Sequence, residues 1–369
     1  MTREAIFEAS LDYFLTPISP FLKDDTITEI MVNGFNEVYI ERRGRLEQTP
    51  ARFPSEDALL SAVHNIAQYV GREIDDSRPV LDARLPDGSR VHAIIPPSAR
   101  RGTYLTIRKF TRDIMNLDEL TRLGSISPPA REFLEICVRL HKNIIVAGGT
   151  GTGKTSLLNA LSTAIPEEER IIVIEDSSEL RLNQPHTLYM EAQQSDAHGQ
   201  GGLSIRQLFK ASLRMRPDRI VVGEVRSGEA LDMIQSMISG HAGSLTTVHA
   251  STPHDALVRL ETLSLMSDVE IPVHVARAQV GSAVHLIVQL ARFSEDGSRR
   301  ITRIAECCGL DGEKYVLQDL FITQLHGKTR GGKIIAELAT AGNLPTFSKE
   351  AYEQGMDNRI QLTRDLWRK

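Results

Sequence analysis

The chain has 369 residues, which at roughly 100 to 200 per domain suggests about two to three domains. Charged residues make up 25% and apolar types 41%, ordinary globular composition that excludes global disorder. Acidic residues number 48 and basic ones 43, a net charge of −5, so a chain that gathers nucleic acid through its overall field is disfavoured. The three cysteines, Cys137, Cys307 and Cys308, exclude a disulfide scaffold and a four-cysteine zinc knot, and they suit a reducing cytoplasm. No apolar run approaches the ~20 residues that span a bilayer, and the acidic start lacks the basic head and apolar stretch of a signal peptide.

In chain order, EVYIER (37–42) alternates as a half-buried strand does, and Arg43-Gly44 supplies a turn before RLEQ. Ser55 caps a predicted helix whose Leu59, Val63, Ile66 and Val70 keep to one face. LPDGSR (85–90) reads as a tight turn, flanked by short strands that end at TYLTIRKF (103–110). Residues 1–111 thus form a small α+β domain, followed by a polar linker at 112–126.

The pattern then changes. Ser127-Pro128 starts a helix with Phe133, Cys137 and Leu140 at helical spacing. NIIVA (143–147), RIIVIE (170–175) and RIVVGE (219–224) are apolar throughout, with amphipathic helices at 154–164 and 205–215 between them. Such strands imply a mostly parallel sheet covered on both faces, so 127–369 is an α/β domain with a helical tail.

GGTGTGKT (148–155) follows a buried strand and opens a helix, fitting GxxxxGK[ST]. Glycines let backbone N–H groups turn inward around a polyphosphate, and the helix N-terminus adds favourable potential. The candidate binding residues are Gly148, Gly149, Thr150, Gly151, Thr152, Gly153, Lys154, Thr155 and Ser156. Lys154 suits the β- and γ-phosphates, and the Thr155 hydroxyl is a hard oxygen ligand for Mg²⁺. A dinucleotide fingerprint fits poorly, because glycines 149, 151 and 153 run GxGxG.

Glu224 stands where one strand ends, with Gly223 in place of the usual acidic residue before it. Glu175, Asp176 and Glu179 end another. Strand ends of α/β sheets bind ligands, so Glu224 and Glu175 are candidates to activate water or to help Thr155 hold Mg²⁺. GHAGSLTTVHAS (240–251) puts His241 and His249 on either side of a short strand, and His249 is a candidate sensor of the γ-phosphate. Metal spacing is absent: there is no HExxH. Between 78 and 112, Arg78, Arg84, Arg90, Arg100, Arg101, Arg108, Lys109 and Arg112 outweigh Asp82 and Asp87. These charges form either a solvated face or a set of phosphate contacts, since a planar guanidinium suits phosphate oxygens. Few stacking aromatics interleave them, which disfavours nucleic acid.

Together, DARLPDGSRVHAIIPP (82–97), GGTGTGKTSLLNAL, RIIVIEDSSEL, LRMRPDRIVVGEVRSGEALDM (213–233) and GHAGSLTTVHASTP resemble the type II/IV secretion ATPase superfamily, and within it the CpaF/TadA-type ATPases of tight-adherence pilus systems. The resemblance implies a PAS-like N-terminal domain, a RecA-like P-loop domain, ATP at their junction, and a homohexameric ring. By position, Lys154 and Thr155 become the Walker A pair, Glu175 part of the aspartate box, Glu224 the Walker B glutamate, and His241 and His249 the histidine box. Arg90, Arg101 and Arg108 match N-terminal arginines that approach phosphate, and Arg226 supports the ring or the site.

The implied function is ATP hydrolysis powering pilus assembly or secretion. The protein would be cytoplasmic and peripheral at the inner membrane, with a membrane platform protein as partner and no direct nucleic acid. A conjugation-type or effector type IV secretion ATPase is the nearest alternative, a RecA-like DNA translocase a lower one, and a nucleotide-bound scaffold that barely hydrolyses a third. How catalysis divides between Glu175 and Glu224 stays open.

Overall fold

The computed structural model describes residues 3–42, 44–110, 115–193 and 201–369; the turn residue Arg43, Arg112 and the first part of the expected linker lie outside them. The chain divides into two compact units, Met1–Asp113 and Ile114–Lys369.

In the first unit, helices α1 (Arg3–Phe14) and α2 (Ser19–Lys23) precede strands β1 (Ile27–Asn33), β2 (Val38–Arg42) and β3 (Arg45–Thr49). Helix α3 (Glu56–Tyr69) and strands β4 (Val80–Arg84), β5 (Arg90–Ile94) and β6 (Tyr104–Arg108) complete it. The strands form one sheet in the order β3-β2-β1-β6-β5-β4, every neighbouring pair antiparallel. Alternation puts Ile30, Val32, Val38, Ile40, Val91, Ala93, Leu105 and Ile107 on one face, where they share a core with Leu59, Val63 and Ile66 of α3. The Ser55 hydroxyl accepts the Ala58 N–H at 3.2 Å, which starts α3 where the sequence expects it.

The second unit runs α4 (Leu117–Arg122), α5 (Pro128–Arg139), β7 (Ile144–Gly148), α6 (Lys154–Ser162), β8 (Ile171–Glu175), β9 (Thr187–Glu191) and α7 (Ile205–Ser212). Then follow β10 (Arg219–Val222), α8 (Glu229–Ile238), β11 (Leu245–His249), α9 (Pro253–Leu265) and α10 (Val273–Ala283). The chain closes with β12 (Leu286–Arg292), β13 (Arg299–Asp311), β14 (Lys314–Lys328), β15 (Ile334–Thr340) and α11 (Glu350–Glu353). Nine strands make one mixed, mostly parallel sheet, β15-β14-β13-β12-β7-β11-β10-β8-β9. The six from β12 to β9 are parallel, and β13, β14 and β15 extend the β12 side antiparallel. Both faces of β7 are buried: Ile144 and Val146 join a core with α5 and α6, while Ile145 and Ala147 join one with α7, α8 and α9.

Three expectations need correction. The stretch read as a linker carries α4, whose Leu117 and Leu120 are buried in the second unit's core. Helix α7 stops at Ser212, short of 215, and Arg216 takes a φ of +52° soon after. The tail is not one helix: it holds the single turn of α11 and two 3₁₀ turns, Asp357–Arg359 and Arg364–Leu366. Phe347 and Trp367 anchor it to Phe133 of α5, with the Phe133 and Trp367 rings 5.5 Å apart.

Candidate functional site

The centre of the parallel sheet builds the site, at the strand ends where such sheets bind ligands. Strand β7 ends on Gly148, in register with His249 of β11 on one side and Leu290 of β12 on the other. The chain turns through 149–153 into α6. Gly153, at the helix's N-cap position, has a φ of +93°, which glycine adopts without the cost a Cβ would bring. The Thr152 hydroxyl and the Lys154 ammonium both donate to the Gly149 carbonyl at 2.9 Å, so the lysine folds back over its own loop. Lys154 is 8% exposed, while Gly149, Thr150 and Gly151 are open to solvent and Thr155 and Ser156 are half-buried in the first helical turn. The N–H groups of a helix's first turn suit an anion.

Glu175 ends β8 and is 4% exposed. One of its carboxylate oxygens accepts the N–H of Glu179 at 2.9 Å and of Leu180 at 3.0 Å, so it shapes the loop that leaves the strand. Burial pushes its pKa up to about 7, against the pull of those two N–H donors. Gly223 lies directly against it: a methyl group there would sit 2.9 Å from Glu175 Cγ. Replacing the usual acidic residue by glycine is therefore a packing requirement at this strand end.

Glu224 follows one residue later, beyond the last residue of β10. His249 Nε2 lies 2.7 Å from one of its oxygens, and Arg226 donates to the other through Nε at 2.8 Å and Nη2 at 2.5 Å. Arg226 also reaches Asp176 at 3.1 Å, joining the two acidic strand ends. Glu229, the first residue of α8, accepts the N–H groups of Arg226 and Ser227 at 2.7 and 2.9 Å and so fixes the loop between β10 and that helix. Lys154 Nζ is 3.5 Å from His249 Nε2, so lysine, histidine and glutamate cluster around one imidazole nitrogen at the mouth of the phosphate loop. Burial, and then the Lys154 charge, lower the His249 pKa below its ordinary value.

Of the sequence candidates, the structure brings together Gly148 to Ser156, Lys154, Glu175, Glu224, Arg226 and His249. It does not bring His241 there. His241 precedes β11, whose other end carries His249, and the strand carries the chain about 13 Å across the sheet. Its carbonyl accepts the Ser244 hydroxyl at 3.2 Å instead. Within the first unit, Arg84, Arg90 and Arg108 sit opposite one another across β4, β5 and β6, on the face away from the core, and Arg108 Nε donates to Glu29 at 2.7 Å. Arg101 is exposed in the loop before β6.

Among the described residues, no group of three or more His, Cys, Asp or Glu could hold a metal by itself. Mg²⁺ needs no such cage: it keeps several waters and takes a few hard oxygens alongside substrate phosphates. The Thr155 hydroxyl and the Glu224 carboxylate supply that donor type. Glu175 offers the same donor type, with one oxygen committed to two backbone N–H groups, whereas both Glu224 oxygens meet His249 and Arg226. The sequence reading missed Asp176 as the partner of Arg226, and missed Arg292 and Arg299, which flank the phosphate loop from β12 and β13. Their placement follows from strand register, which no local motif announces.

A mostly parallel sheet whose central strand opens through GGTGTGKT into a helix, with carboxylates at the same ends of β8 and β10, defines a P-loop ATPase with a RecA-like core. The chain belongs to the type II/IV secretion system protein family, whose model matches residues 14–342, and is a secretion ATPase. It is similar to the type IV secretion system protein PtlH of Bordetella pertussis, at 36% identity over 83% of this chain and 96% of that one. It is also similar to the type IV secretion system protein VirB11 of Brucella suis, at 34% identity over 79% of this chain and 88% of that one. Among solved structures, the pilus retraction motor PilT with bound ADP matches with a TM-score of 0.55 at 18% identity, covering 84% of this chain and 82% of that one, and shows the shared fold.

Proposed function

We propose that the chain is a Mg²⁺-dependent ATP-hydrolysing motor, working as a homohexamer on the cytoplasmic side of the inner membrane, that powers assembly of a tight-adherence-type pilus. The observation that carries the hydrolytic part is the Lys154–His249–Glu224 cluster at the open end of the phosphate loop, with spacings of 3.5 and 2.7 Å. Phosphoryl transfer to water needs little covalent help, so charge and positioning supply the rate. Lys154 leaves the Gly149 carbonyl for the β- and γ-phosphates. Glu224, held by His249 and Arg226, orients the attacking water and receives its proton. Glu175 sets the loop beside it. The Thr155 hydroxyl would hold Mg²⁺, which would supply neutralisation of phosphate charge. Arg90, Arg101 and Arg108 belong to this reading as further phosphate contacts, and an alanine at each should slow hydrolysis while the thermal transition of the second unit is unchanged.

The pilus assignment is supported by the motif set that resembles CpaF/TadA-type ATPases. A second reading, a type IV secretion or conjugation ATPase, is favoured by the similarity to PtlH and VirB11. Neighbouring genes for a pilin, a prepilin peptidase and an inner-membrane platform support the first, and genes for a conjugation channel the second. The hydrolytic reading is tested on purified oligomer. Lys154→Ala should abolish turnover, and Glu224→Gln should keep nucleotide binding while hydrolysis falls about 10²- to 10⁴-fold, the range for loss of a general base. Normal hydrolysis by Glu224→Gln would remove Glu224 from its role.

A further inference from the structure

Strand β12 continues past the point where β7 turns into the phosphate loop. Leu290 is level with Gly148, and Arg292 lies two residues further on, opposite Arg299 of β13. The space beside the loop is bounded by these two side chains. A methyl group on Gly151 would lie 3.5 Å from Arg292 Nη1, and one on Gly153 would lie 3.5 Å from Arg299 Cδ. Two guanidinium side chains therefore border the side of the loop opposite Glu224 and His249, which come from β10 and β11.

Their backbone is held firmly. Phe293 and Ser298 close the connecting turn through a 2.8 Å hydrogen bond, and the Asp296 carboxylate accepts the N–H groups of Ser298 and Ile334 at 2.9 and 2.8 Å. The Ser125 hydroxyl donates to the Arg299 carbonyl at 2.7 Å. A rigid base carrying a planar cation beside a loop of inward N–H groups is the arrangement that suits a polyphosphate.

We propose that Arg292 is a phosphate-binding residue of the nucleotide site, and that Arg299, beside Gly153, adds a second positive charge on the same side of the loop. The ligand class is a nucleoside di- or triphosphate, and the contact falls on the phosphate chain from the β12 side while Lys154 serves the loop side. This rests on the hydrolytic reading of the loop.

The test is equilibrium binding of ADP and of adenosine to the full chain, over a range of salt concentrations, for wild type, Arg292→Gln, Arg292→Lys, Arg299→Gln and Lys154→Ala. Loss of a charge-assisted hydrogen bond should weaken ADP binding by roughly 10- to 100-fold in Arg292→Gln, and leave adenosine binding unchanged. The salt dependence of ADP binding should flatten in Arg292→Gln, and Arg292→Lys should recover it, a response that a purely structural role would not give. Arg299→Gln should weaken ADP binding less than Arg292→Gln does. Wild-type ADP affinity and salt dependence in Arg292→Gln, while Lys154→Ala loses ADP, would overturn the proposal alone. Undiminished ADP binding by Lys154→Ala would overturn the reading of the loop itself. Equal weakening of ADP and adenosine would reduce Arg292 to a structural part, and so overturn the proposal.

Discussion

His249 Nε2 stands 2.7 Å from a Glu224 oxygen, and the Lys154 ammonium lies 3.5 Å from the same nitrogen. An ammonium and a carboxylate therefore face the same imidazole nitrogen. Burial and the Lys154 charge hold the His249 pKa below its ordinary value, so at pH 7 the ring is neutral and its N–H donates to Glu224. His249→Gln should reduce kcat by roughly 10- to 100-fold, the worth of a hydrogen bond to a charged group, with nucleotide affinity nearly unchanged. In wild type the rate should fall on the acid side, at a pH below the ordinary histidine range, as the ring protonates and pins Glu224 in an ion pair. The pH profile of His249→Gln should lose that limb, and its persistence would assign the limb to another group.

Gly223 is tested by the smallest possible addition. A methyl group would meet Glu175 Cγ at 2.9 Å and Oε1 at 3.3 Å, and neither can retreat, since Oε1 is held by two backbone N–H groups. Overpacking of this kind costs about 1–3 kcal/mol. At about 2–4 °C per kcal/mol for a unit of this size, Gly223→Ala should lower the Tm by several degrees and slow hydrolysis as the loop before Glu224 shifts. An unchanged Tm would show that the strand end is looser than its packing indicates.

Glu175 makes stability depend on pH in a direction opposite to that of most carboxylates. Its pKa in the folded chain, about 7, lies above its ordinary 4.5. Between those values the folded state holds a proton that the unfolded state has released, so stability falls as pH rises from about 4.5 to about 7 and then levels off. Glu175→Gln keeps an acceptor for Glu179 and Leu180 but has no proton to lose. In the nucleotide-free protein its Tm should match wild type near pH 4.5 and exceed it at pH 8. Parallel curves for the two proteins across this range would place the Glu175 carboxylate in a wetter setting.

The parts of this molecule that show in the sequence are those whose contacts are local. Gly148 to Thr155 are consecutive because one loop makes the phosphate cradle, and the strands β7, β8 and β10 show as apolar runs because both sheet faces are covered. The pair His241 and His249 looks like one unit in sequence, yet a strand between them separates their side chains across the sheet. Glu175 shows as an acidic strand end, but its commitment to Glu179 and Leu180 depends on how the loop folds back. Arg292 and Arg299 come beside the phosphate loop only through the register of β7, β12 and β13. The tail gives the least away, because Phe347 and Trp367 have no periodic partners and find their place on Phe133 far earlier in the chain.

That tail is pinned by a single carboxylate. Glu132 of α5 accepts the N–H groups of Gln361 at 3.0 Å, Leu362 at 2.9 Å and Thr363 at 3.0 Å, and the Thr363 hydroxyl at 2.6 Å. Thr363 in turn receives the Trp367 indole N–H at 3.1 Å, which holds the ring against Phe133 and Phe347. Three backbone donors converging on one anion cannot be replaced by an apolar side chain, so Glu132→Ala should cost about 1–3 kcal/mol and loosen the last residues. Trp367 is the only tryptophan in the chain and is 4% exposed, so its emission reports the docking directly. Glu132→Ala should shift that emission to longer wavelength and open the C-terminus to carboxypeptidase, with Glu132→Gln intermediate because its amide oxygen still accepts. Wild-type emission and protease resistance in Glu132→Ala would mean that the aromatic contacts with Phe133 and Phe347 hold the tail without the carboxylate.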